Sequence, residues 1–406
     1  MVNKKISIFG IVQGVGFRPY IYNLARKHKI NGWVRNDENG VEIEAYAKKE
    51  DIENFINEIK VNPPVLSKIS DIKIEKKKQS IYSHFDIIES TNSKNKTTII
   101  SPDMAICKDC IADIFDETNF RFLYPLNNCT NCGPRYSILK AIPYDRVNTS
   151  LKKFPLCKKC DKEFIDPKNR RYHAQAISCE ECGPTTFLYD INQNLLNTKI
   201  DSINLASKYI NDGKILAIKS IGGFHIVCDA SNDSTIRKLR EFKKRETKPF
   251  AVMFKDIEAI KEVCELSYKE EEGILSLLRP IVLVKRKRDL SKISSLIAPH
   301  IDRLGVFLPY TPLHIMLFEY LKNPIIATSA NRAGEPIISD AQTLRETLAG
   351  IVEYYVDYDR EIVHCSDDSV VQYIDEKPLL MRLSRGLAPL SFRVKHHDER
   401  SILAIG

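Results

Sequence analysis

Alternating and helical hydrophobic patterns divide the first 90 residues into six predicted elements, in the order strand, helix, strand, strand, helix, strand. Residues 36–40, rich in Asn, Asp and Gly, form a hairpin signal between the second and third strands. This order predicts a ferredoxin-like α+β sandwich. The predicted strands cover residues 4–11, 32–35, 41–47 and 85–88, and the predicted helices cover residues 19–28 and 51–60.

The pattern changes after residue 200, where short buried strands alternate with amphipathic helices. Residues 202–212 and 234–244 have helical spacing, and residues 215–218 and 221–229 are apolar enough for buried strands. A further buried strand ends at Ser329. This alternation predicts an α/β domain with a twisted sheet, and ligands of such sheets bind where strands end.

Between these regions, eight cysteines form four CxxC pairs that repeat after 50 residues. The repeat extends beyond the cysteines, since Arg121 recurs as Arg171. Two CxxC pairs supply the four thiolates of a tetrahedral zinc site, so this block predicts two structural Zn²⁺ ions with no open coordination position. The predicted ligands are Cys107, Cys110, Cys129, Cys132, Cys157, Cys160, Cys179 and Cys182.

Alternatives exist for this block. A disulfide framework is disfavoured, because nothing marks the chain as secreted and thiols stay reduced in the cytosol. The zinc ligands fit either sequential pairing, the first four cysteines and then the last four, or pairing interleaved across the repeat. We expect His173 to be a hydrogen-bonded interface residue rather than a metal ligand. The cysteines outside the pairs are expected to be buried as small hydrophobic residues; they are Cys228, Cys264 and Cys365.

Length and composition indicate a soluble protein of two to four domains, with 406 residues and 28% charged residues. The N-terminal apolar run is too short for a signal peptide, and no stretch is long and apolar enough to span a bilayer. A cytoplasmic location is therefore expected. The net charge of +8 suits anionic partners but is weak evidence alone. The predicted divisions are a first domain at 1–90, a linker at 91–106, the cysteine module at 107–190 and the α/β domain at 200–390.

The loop after the first predicted strand has the composition of an oxyanion site. Gly14 and Gly16 allow consecutive backbone N–H groups to turn inward just before a helix N-terminus, and Arg18 adds a charged fork suited to phosphate. Asn36 is placed to fix an attacking water. The segments VQGVGFR and GWVRN resemble the acylphosphatase signature. That resemblance implies that Arg18 binds phosphate, that Asn36 orients the nucleophilic water, and that the phosphate-binding loop comprises Gln13, Gly14, Val15, Gly16 and Phe17.

Polar residues at two places in the α/β region predict a nucleotide site. Lys243, Arg245 and Lys248 cluster before a strand, and Ser329 and Asn331 follow another. Together they resemble the YrdC-like family, whose KxR and SxN motifs hold a nucleotide triphosphate. The resemblance implies ATP, with Mg²⁺, as the substrate of this domain. The implied ATP-site residues are Lys243, Arg245, Lys248, Ser329 and Asn331, with Ser369 and Arg382 at positions similar to later family motifs.

The three regions in this order resemble the HypF family of carbamoyltransferases in nickel–iron hydrogenase maturation. The resemblance implies hydrolysis of carbamoyl phosphate to carbamate, adenylation of carbamate to carbamoyl-AMP, and carbamoylation of the C-terminal cysteine of HypE, which leads to the cyanide ligand. Residues 391–406, ending in SILAIG, resemble the start of a truncated C-terminal domain that performs the final transfer. Because carbamate decomposes in water, an enclosed path between the two sites is expected.

Two other functions fit parts of the sequence. A threonylcarbamoyl-AMP synthase of the tRNA-modifying kind also adenylates its substrate, but it needs neither the acylphosphatase loop nor the cysteine repeat. A zinc-ribbon RNA-binding protein would use the basic surface, yet the chain lacks the aromatic and basic strand motifs that stack bases. RNA binding is therefore not expected.

Overall fold

A computed structural model gives the architecture of most of the chain. The predicted start of a C-terminal domain, at 391–406, lies outside the described residues, as do residues 92–97 of the predicted linker. None of the helices in the described part of the chain has the length and hydropathy needed to cross a membrane. The described residues are 1–78, 80–91, 98–288, 292–332 and 334–390.

The first domain is a five-stranded sheet covered by two helices, in the strand order β4-β1-β3-β2-β5. Only the β2–β5 pair is parallel. The predicted sandwich is confirmed, but the sequence analysis missed β4, whose residues are mostly exposed and rich in lysine. The elements are β1 (Val2–Ile11), α1 (Phe17–Lys27), β2 (Asn31–Asn36), β3 (Gly40–Ala47), α2 (Lys49–Val61), β4 (Lys68–Lys76) and β5 (Phe85–Ile87).

Apolar side chains on one face of this sheet pack against the two helices. Ile6 and Ile43 from the strands meet Ile21 of α1 and Phe55 of α2, and all four are fully buried. Burial of this face fixes the strand register, because a shift by one residue would turn these side chains toward solvent. The core therefore holds the β1–α1 loop, residues 12–16, at one end of the sheet.

The cysteine module follows as two similar halves. In each half an eight-residue helix begins directly after the first cysteine, α3 (Lys108–Phe115) after Cys107 and α4 (Lys158–Ile165) after Cys157. Short 3-10 helices lie in the segment that joins the halves. The helix–knuckle arrangement recurs at the 50-residue spacing of the sequence repeat.

The third region is a twelve-stranded mixed sheet flanked by helices, as far as the described residues show it. Its order is β17-β16-β12-β13-β10-β14-β9-β8-β15-β6-β7, with β11 paired to β12. The first strand of this sheet starts at Thr186, within the range expected for the cysteine module. The strands are β6 (Thr186–Asp190), β7 (Leu195–Thr198), β8 (Leu216–Lys219), β9 (Phe224–Asp229), β10 (Ala251–Met253), β11 (Cys264–Glu265), β12 (Ile281–Arg286), β13 (Arg303–Phe307), β14 (Ile325–Ser329), β15 (Tyr354–Tyr358), β16 (Val370–Ile374) and β17 (Lys377–Arg382).

The helices of this region place both predicted nucleotide motifs at neighbouring strands. Helix α6 is capped by Asn232, whose side chain accepts from the Thr235 N–H, and it ends just before Lys243. Strand β14 pairs with β9, so that Ser329 lies opposite His225. The helices are α5 (Lys199–Asn211), α6 (Asp233–Phe242), α7 (Ile257–Val263), α8 (Tyr268–Leu275), α9 (Pro312–Phe318) and α10 (Ala341–Leu348).

Candidate active sites and metal centres

The loop before α1 presents a row of unpaired backbone donors. Gly14 and Gly16 have φ angles of 73° and 71°, a left-handed conformation that favours glycine. Within the described residues, the N–H groups of residues 14–18 have no hydrogen-bond acceptor. Buried backbone donors are rarely left unpaired, and here they lie at the N-terminus of α1. The loop therefore has the geometry of an oxyanion cradle.

Arg18 and Asn36 line the cavity into which this cradle opens. The Arg18 side chain is buried and its Nη2 donates to Asp145 Oδ1 at 2.7 Å. Asn36 Nδ2 points to the Tyr144 carbonyl oxygen at 3.4 Å, whereas its Oδ1 is buried without a partner among the described residues. A free amide oxygen beside an oxyanion cradle can accept a hydrogen bond from a water molecule.

Gln13 belongs to the same loop, but its side chain is engaged elsewhere. Its Nε2 donates to the carbonyl oxygens of Asp37 and Gly40, at 2.6 and 2.7 Å, and its Oε1 accepts from the Tyr144 N–H at 2.9 Å. Val15 and Phe17 direct their side chains into the core. These three residues therefore contribute shape and backbone groups to the loop.

The cysteine module covers the cradle. Apart from His173, the residues that make this contact were not predicted from the sequence. Tyr144, His173 and Gln175 complete the lining of the cavity. Asp145 accepts from Arg18 and also from the Ser90 hydroxyl, whose distance to Asp145 Oδ2 is 2.5 Å. Asp145 lies in the segment joining the two halves, outside the repeat. In the sequence, the only indication of a role for it was its position as an acidic residue in an aromatic and proline-rich stretch.

His173 lies at this interface, as expected, and it is not among the clustered metal-ligating atoms. The expected hydrogen bond is absent among the described residues; the ring instead packs edge-on against Tyr172 and tilted against Phe164. Burial, and then the charge of Arg18, lower the pKa of His173 to about 4, although Asp145 opposes the shift. The ring is therefore neutral at neutral pH.

The eight paired cysteines form two four-sulfur clusters, and the pairing is sequential. The first four cysteines gather in one cluster and the last four in the other, with the sulfur atoms of each lying within 4.8 Å of one another. Measured Sγ–Sγ distances include 3.7 Å for Cys107–Cys129 and 3.6 Å for Cys157–Cys179. Four thiolates at about 2.3 Å around a tetrahedral zinc ion are about 3.8 Å apart. Both clusters therefore fit zinc.

The two clusters are braced by reciprocal arginine contacts. Arg121, in the first half, donates to Cys160 Sγ at 3.3 Å, and Nε of the same residue donates to the Ser178 carbonyl oxygen. Arg171, at the equivalent position in the second half, donates to the Asn128 carbonyl oxygen and lies 3.9 Å from Cys110 Sγ. Each half of the module thus holds a thiolate of the other.

The predicted nucleotide motifs meet at the ends of α6 and β14. Lys243 Nζ donates to the carbonyl oxygens of Ser329 and Asn331, at 2.8 and 2.7 Å, and to Asn331 Oδ1 at 2.8 Å. Burial, with a further contribution from Arg245, lowers the pKa of Lys243 to about 7. Among the described residues, the hydrogen-bond partners of the ammonium are carbonyl and amide oxygens, without a carboxylate. Such a group is suited to an anionic ligand.

The remaining predicted nucleotide residues differ in exposure. Arg245 lies near Thr328 Oγ1, at 3.4 Å, and Lys248 is exposed. Ser369 is fully buried, donating to the Arg385 carbonyl oxygen and accepting from the Ser384 N–H. Arg382 donates to the Asp368 carbonyl oxygen at 2.8 Å. Lys243, Ser329 and Asn331 are therefore in direct contact, whereas Ser369 is occupied within the fold.

A buried polar network that the sequence analysis did not identify lies behind this site. His225 Nε2 is 3.1 Å from Asp368 Oδ2, and Arg385 Nε donates to Asp368 Oδ1 at 2.7 Å. The Arg385 guanidinium lies over the Tyr310 ring, 3.5 Å from its centroid. Burial alone would raise the pKa of Asp368, but the charges of Arg385 and His225 hold it well below its usual range. No local motif signals this network, because its members come from distant segments.

Burial of the unpaired cysteines was predicted correctly for two of three. Cys228 and Cys264 are buried, and burial raises the pKa of Cys228. Cys365 is exposed, so that prediction was wrong. It lies between strands β15 and β16 in a loop without regular structure.

Comparison with known proteins follows the same three regions. The Acylphosphatase family matches residues 4–87, the HypF finger family matches residues 106–139 and 156–189, and the Sua5–YciO–YrdC family, described as "Telomere recombination", matches residues 208–384. An acylphosphatase from Bacillus licheniformis is 42% identical over 80 residues, which are 20% of this chain and 88% of that protein.

Other matches extend along nearly the whole chain. The "Probable carbamoyltransferase HypF" of Methanocaldococcus jannaschii is 44% identical over 404 residues, which are 99% of this chain and 52% of the relative. The crystal structure of a full-length HypF in the phosphate- and nucleotide-bound form superposes with a TM-score of 0.91 at 43% identity, covering 96% of this chain and 50% of that chain. Three domain families in this order, with 42–44% identity to HypF proteins along nearly the whole chain, show that the chain is similar to these proteins in domain order and sequence, and it spans about half the length of the relatives that it matches.

Proposed function

We propose that this chain hydrolyses carbamoyl phosphate to carbamate and phosphate, and then couples carbamate to ATP to form carbamoyl-AMP and pyrophosphate. The observation that carries the proposal is the cradle of unpaired N–H groups at residues 14–18, with Arg18 and the free Oδ1 of Asn36 beside it. The family relationship supports the same order of steps.

In the first step the phosphoryl group of carbamoyl phosphate lies in the cradle, and Arg18 neutralises its charge. A water molecule held by Asn36 Oδ1 attacks phosphorus, and both of its protons stay with the phosphate product, which forms as dihydrogen phosphate. The bond between phosphorus and the carbamoyl oxygen breaks, and carbamate leaves with the electron pair. No protein covalent intermediate is needed, so positioning and charge stabilisation supply the catalysis.

In the second step a carbamate oxygen attacks the α-phosphorus of ATP, and pyrophosphate leaves with its bound Mg²⁺. We assign ATP contacts to Lys243, Arg245, Ser329 and Asn331, because the first two are cationic and converge on the β14 terminus. Lys248 and Arg382 are exposed cations, and Arg382 lies 3.6 Å from the Asp367 carboxylate; we assign both to the outer part of the ATP site. Ser369 is assigned a positioning role, since its hydroxyl is fully engaged.

Carbamate would pass between the sites along the cysteine module. Arg135 lines the cavity at the cradle, while Gly133 and Pro134 line a second cavity together with Ser220 and Tyr310 of the large sheet. Consecutive residues of one segment thus border both cavities. An enclosed route of this kind would limit the decomposition of carbamate in water.

The partners and cofactors follow from the family relationship. We propose two structural Zn²⁺ ions in the four-cysteine clusters and a HypE-type protein as the final carbamoyl acceptor, in the cytoplasm, where thiols stay reduced. Transfer to the acceptor cysteine is proposed for the portion of the relatives that this chain does not span.

Substitution of Asn36 by alanine is expected to lower kcat for carbamoyl phosphate hydrolysis about 10²-fold, with KM changed little. The reason is that Asn36 orients water, whereas the cradle and Arg18 bind the phosphate. Steady-state phosphate release gives both constants. Asn39→Ala, in the hairpin turn next to Asn36, is the matched control. A large rise in KM with unchanged kcat would contradict this role.

Nucleotide affinity is expected to fall as pH rises above about 7, because ATP binds the protonated ammonium of Lys243 and the pKa of that group in the free protein is about 7. Linkage predicts a rise in Kd of up to about tenfold per pH unit above this pKa. Calorimetry of ATP binding between about pH 6 and about pH 9 measures it. Lys243→Gln should remove the slope and Lys248→Gln should keep it; a pH-independent Kd in the wild type would contradict the assignment.

The identity of the adenylated product tests the proposed function against its nearest rival. The protein is incubated with isotope-labelled carbamoyl phosphate and ATP, and the adenylates are identified by mass spectrometry. We expect labelled carbamoyl-AMP. A threonylcarbamoyl adenylate formed only from bicarbonate and L-threonine would instead assign the chain to the tRNA-modifying reaction.

A further inference from the structure

Arg135 of the cysteine module joins the first four-cysteine cluster to the phosphate-binding loop. Its guanidinium is almost fully buried, and its hydrogen-bond partners in the described chain are carbonyl oxygens, without a carboxylate. Each of its five N–H donors meets a backbone carbonyl oxygen at 2.5–3.0 Å. The acceptors are Gly14 in the loop and Cys129, Thr130, Cys132 and Pro134 around the cluster.

The contact with Gly14 determines how the loop presents its donors. Arg135 Nε donates to the Gly14 carbonyl oxygen at 2.5 Å. The Gly14–Val15 peptide is trans, so its N–H, which belongs to Val15, points away from the guanidinium. A Cβ at Gly14 would lie 3.2 Å from Arg135 Cδ, so the side chain also packs closely against the loop. One side of this peptide is thus fixed by Arg135 and the other is free for an anion.

The backbone of Arg135 is itself fixed by a hydrogen bond to Asp103. Its N–H donates to Asp103 Oδ1 at 2.6 Å, and the Ser137 hydroxyl donates to the same oxygen at 2.8 Å. Asp103 is fully buried. The arginine is therefore anchored at both ends and cannot follow a movement of the loop without losing several hydrogen bonds.

We propose that Arg135 is a positioning residue for the phosphate site, which it orients through the Gly14 carbonyl, and that it makes the geometry of the cradle depend on the first four-cysteine cluster. The proposal rests on the proposed function for its substrate, carbamoyl phosphate. Arg135 binds no substrate; it holds the peptide whose N–H does. The fold of the cysteine module thereby sets the affinity of an active site in another domain.

Arg135→Lys separates position from charge, because lysine keeps the positive charge but lacks the planar five-donor fork. Affinity for inorganic phosphate is measured by calorimetry on the whole chain, with KM and kcat for carbamoyl phosphate and zinc content determined on the same samples. We expect the phosphate Kd and the KM to rise about tenfold, with kcat changed less and zinc content unchanged. The matched control is Arg121→Lys, another fully buried arginine of the same module, which does not contact the loop.

Two results would overturn the proposal. An equal loss of phosphate affinity in Arg121→Lys would show that any buried arginine substitution in the module destabilises the site. Loss of zinc together with phosphate binding in Arg135→Lys would show that Arg135 acts only on the metal site. A wild-type chain that binds phosphate in an Arg135-dependent way without hydrolysing carbamoyl phosphate would overturn the proposed hydrolysis but support the role of Arg135.

Discussion

Replacing Arg18 by alanine is expected to lower kcat/KM for carbamoyl phosphate hydrolysis about 10³-fold. Arg18 is a cation that lines the cavity at the cradle, and its removal also leaves the Asp145 carboxylate without its cationic partner. Both effects destabilise the negative charge of the phosphoryl group in the cradle. Phosphate release from carbamoyl phosphate measures the loss, and Arg26→Ala, an exposed arginine on the same helix, is the control.

The contribution of Asp145 can be separated in the same assay. The double variant Arg18→Ala, Asp145→Asn should recover part of the lost activity, since it removes the carboxylate whose charge Arg18 no longer neutralises. An Arg18→Ala protein that retains activity within about threefold of wild type would exclude Arg18 as the phosphate-binding group.

Replacing Cys129 by serine is expected to remove zinc from the first cluster and to abolish both proposed activities. A structural zinc ion stabilises a small site by about 10–16 kcal/mol, comparable to the whole stability of a domain. Loss of the zinc ion is also expected to disturb the oxyanion cradle, because the Cys129 carbonyl oxygen is an acceptor for Arg135. Zinc per chain is measured by mass spectrometry and unfolding by circular dichroism.

The control for this variant is Cys365→Ser, since Cys365 is exposed and lies outside both clusters. It should keep both zinc ions and the melting temperature of the wild type. If Cys129→Ser lost the first zinc ion and yet kept unaltered hydrolysis, the metal would have no part in holding the cover of the phosphate site.

The parts that could be predicted from the sequence are those with short-range patterns. CxxC spacing specifies a zinc knuckle, and the glycines at 14 and 16 specify a loop that needs left-handed backbone. Strand β4 was missed because it is an edge strand with an exposed, charged face, so that its alternation is weak. Its assignment depends on pairing with β1, a contact between segments about 60 residues apart in sequence.

The parts that could not be predicted depend on how the domains dock. Asp145 reaches Arg18, and Arg135 reaches Gly14, across more than a hundred residues of sequence. Neither residue stands in a motif with a chemical signature. Likewise, the pairing of the cysteines was open in sequence, because both pairings satisfy the repeat, and only the packing of the two halves makes it sequential.

The cysteine module has a wider role in this structure than holding metal. It supplies Tyr144 and His173 to the cavity at the cradle, Asp145 as the partner of Arg18, and Gly133 and Pro134 to the cavity at the large sheet. The expectation that the zinc ions only stabilise the fold is compatible with this arrangement, since a rigid module is what fixes the cover of one site relative to the other.

Carbamoyl-phosphate-dependent exchange between ATP and labelled pyrophosphate tests most directly whether the two sites on this chain act in series. The wild type should catalyse exchange only when carbamoyl phosphate is present. Arg18→Ala should lose exchange while binding ATP as the wild type does, because its adenylating residues are intact. Exchange by Arg18→Ala at the wild-type rate, or wild-type exchange without carbamoyl phosphate, would contradict the account.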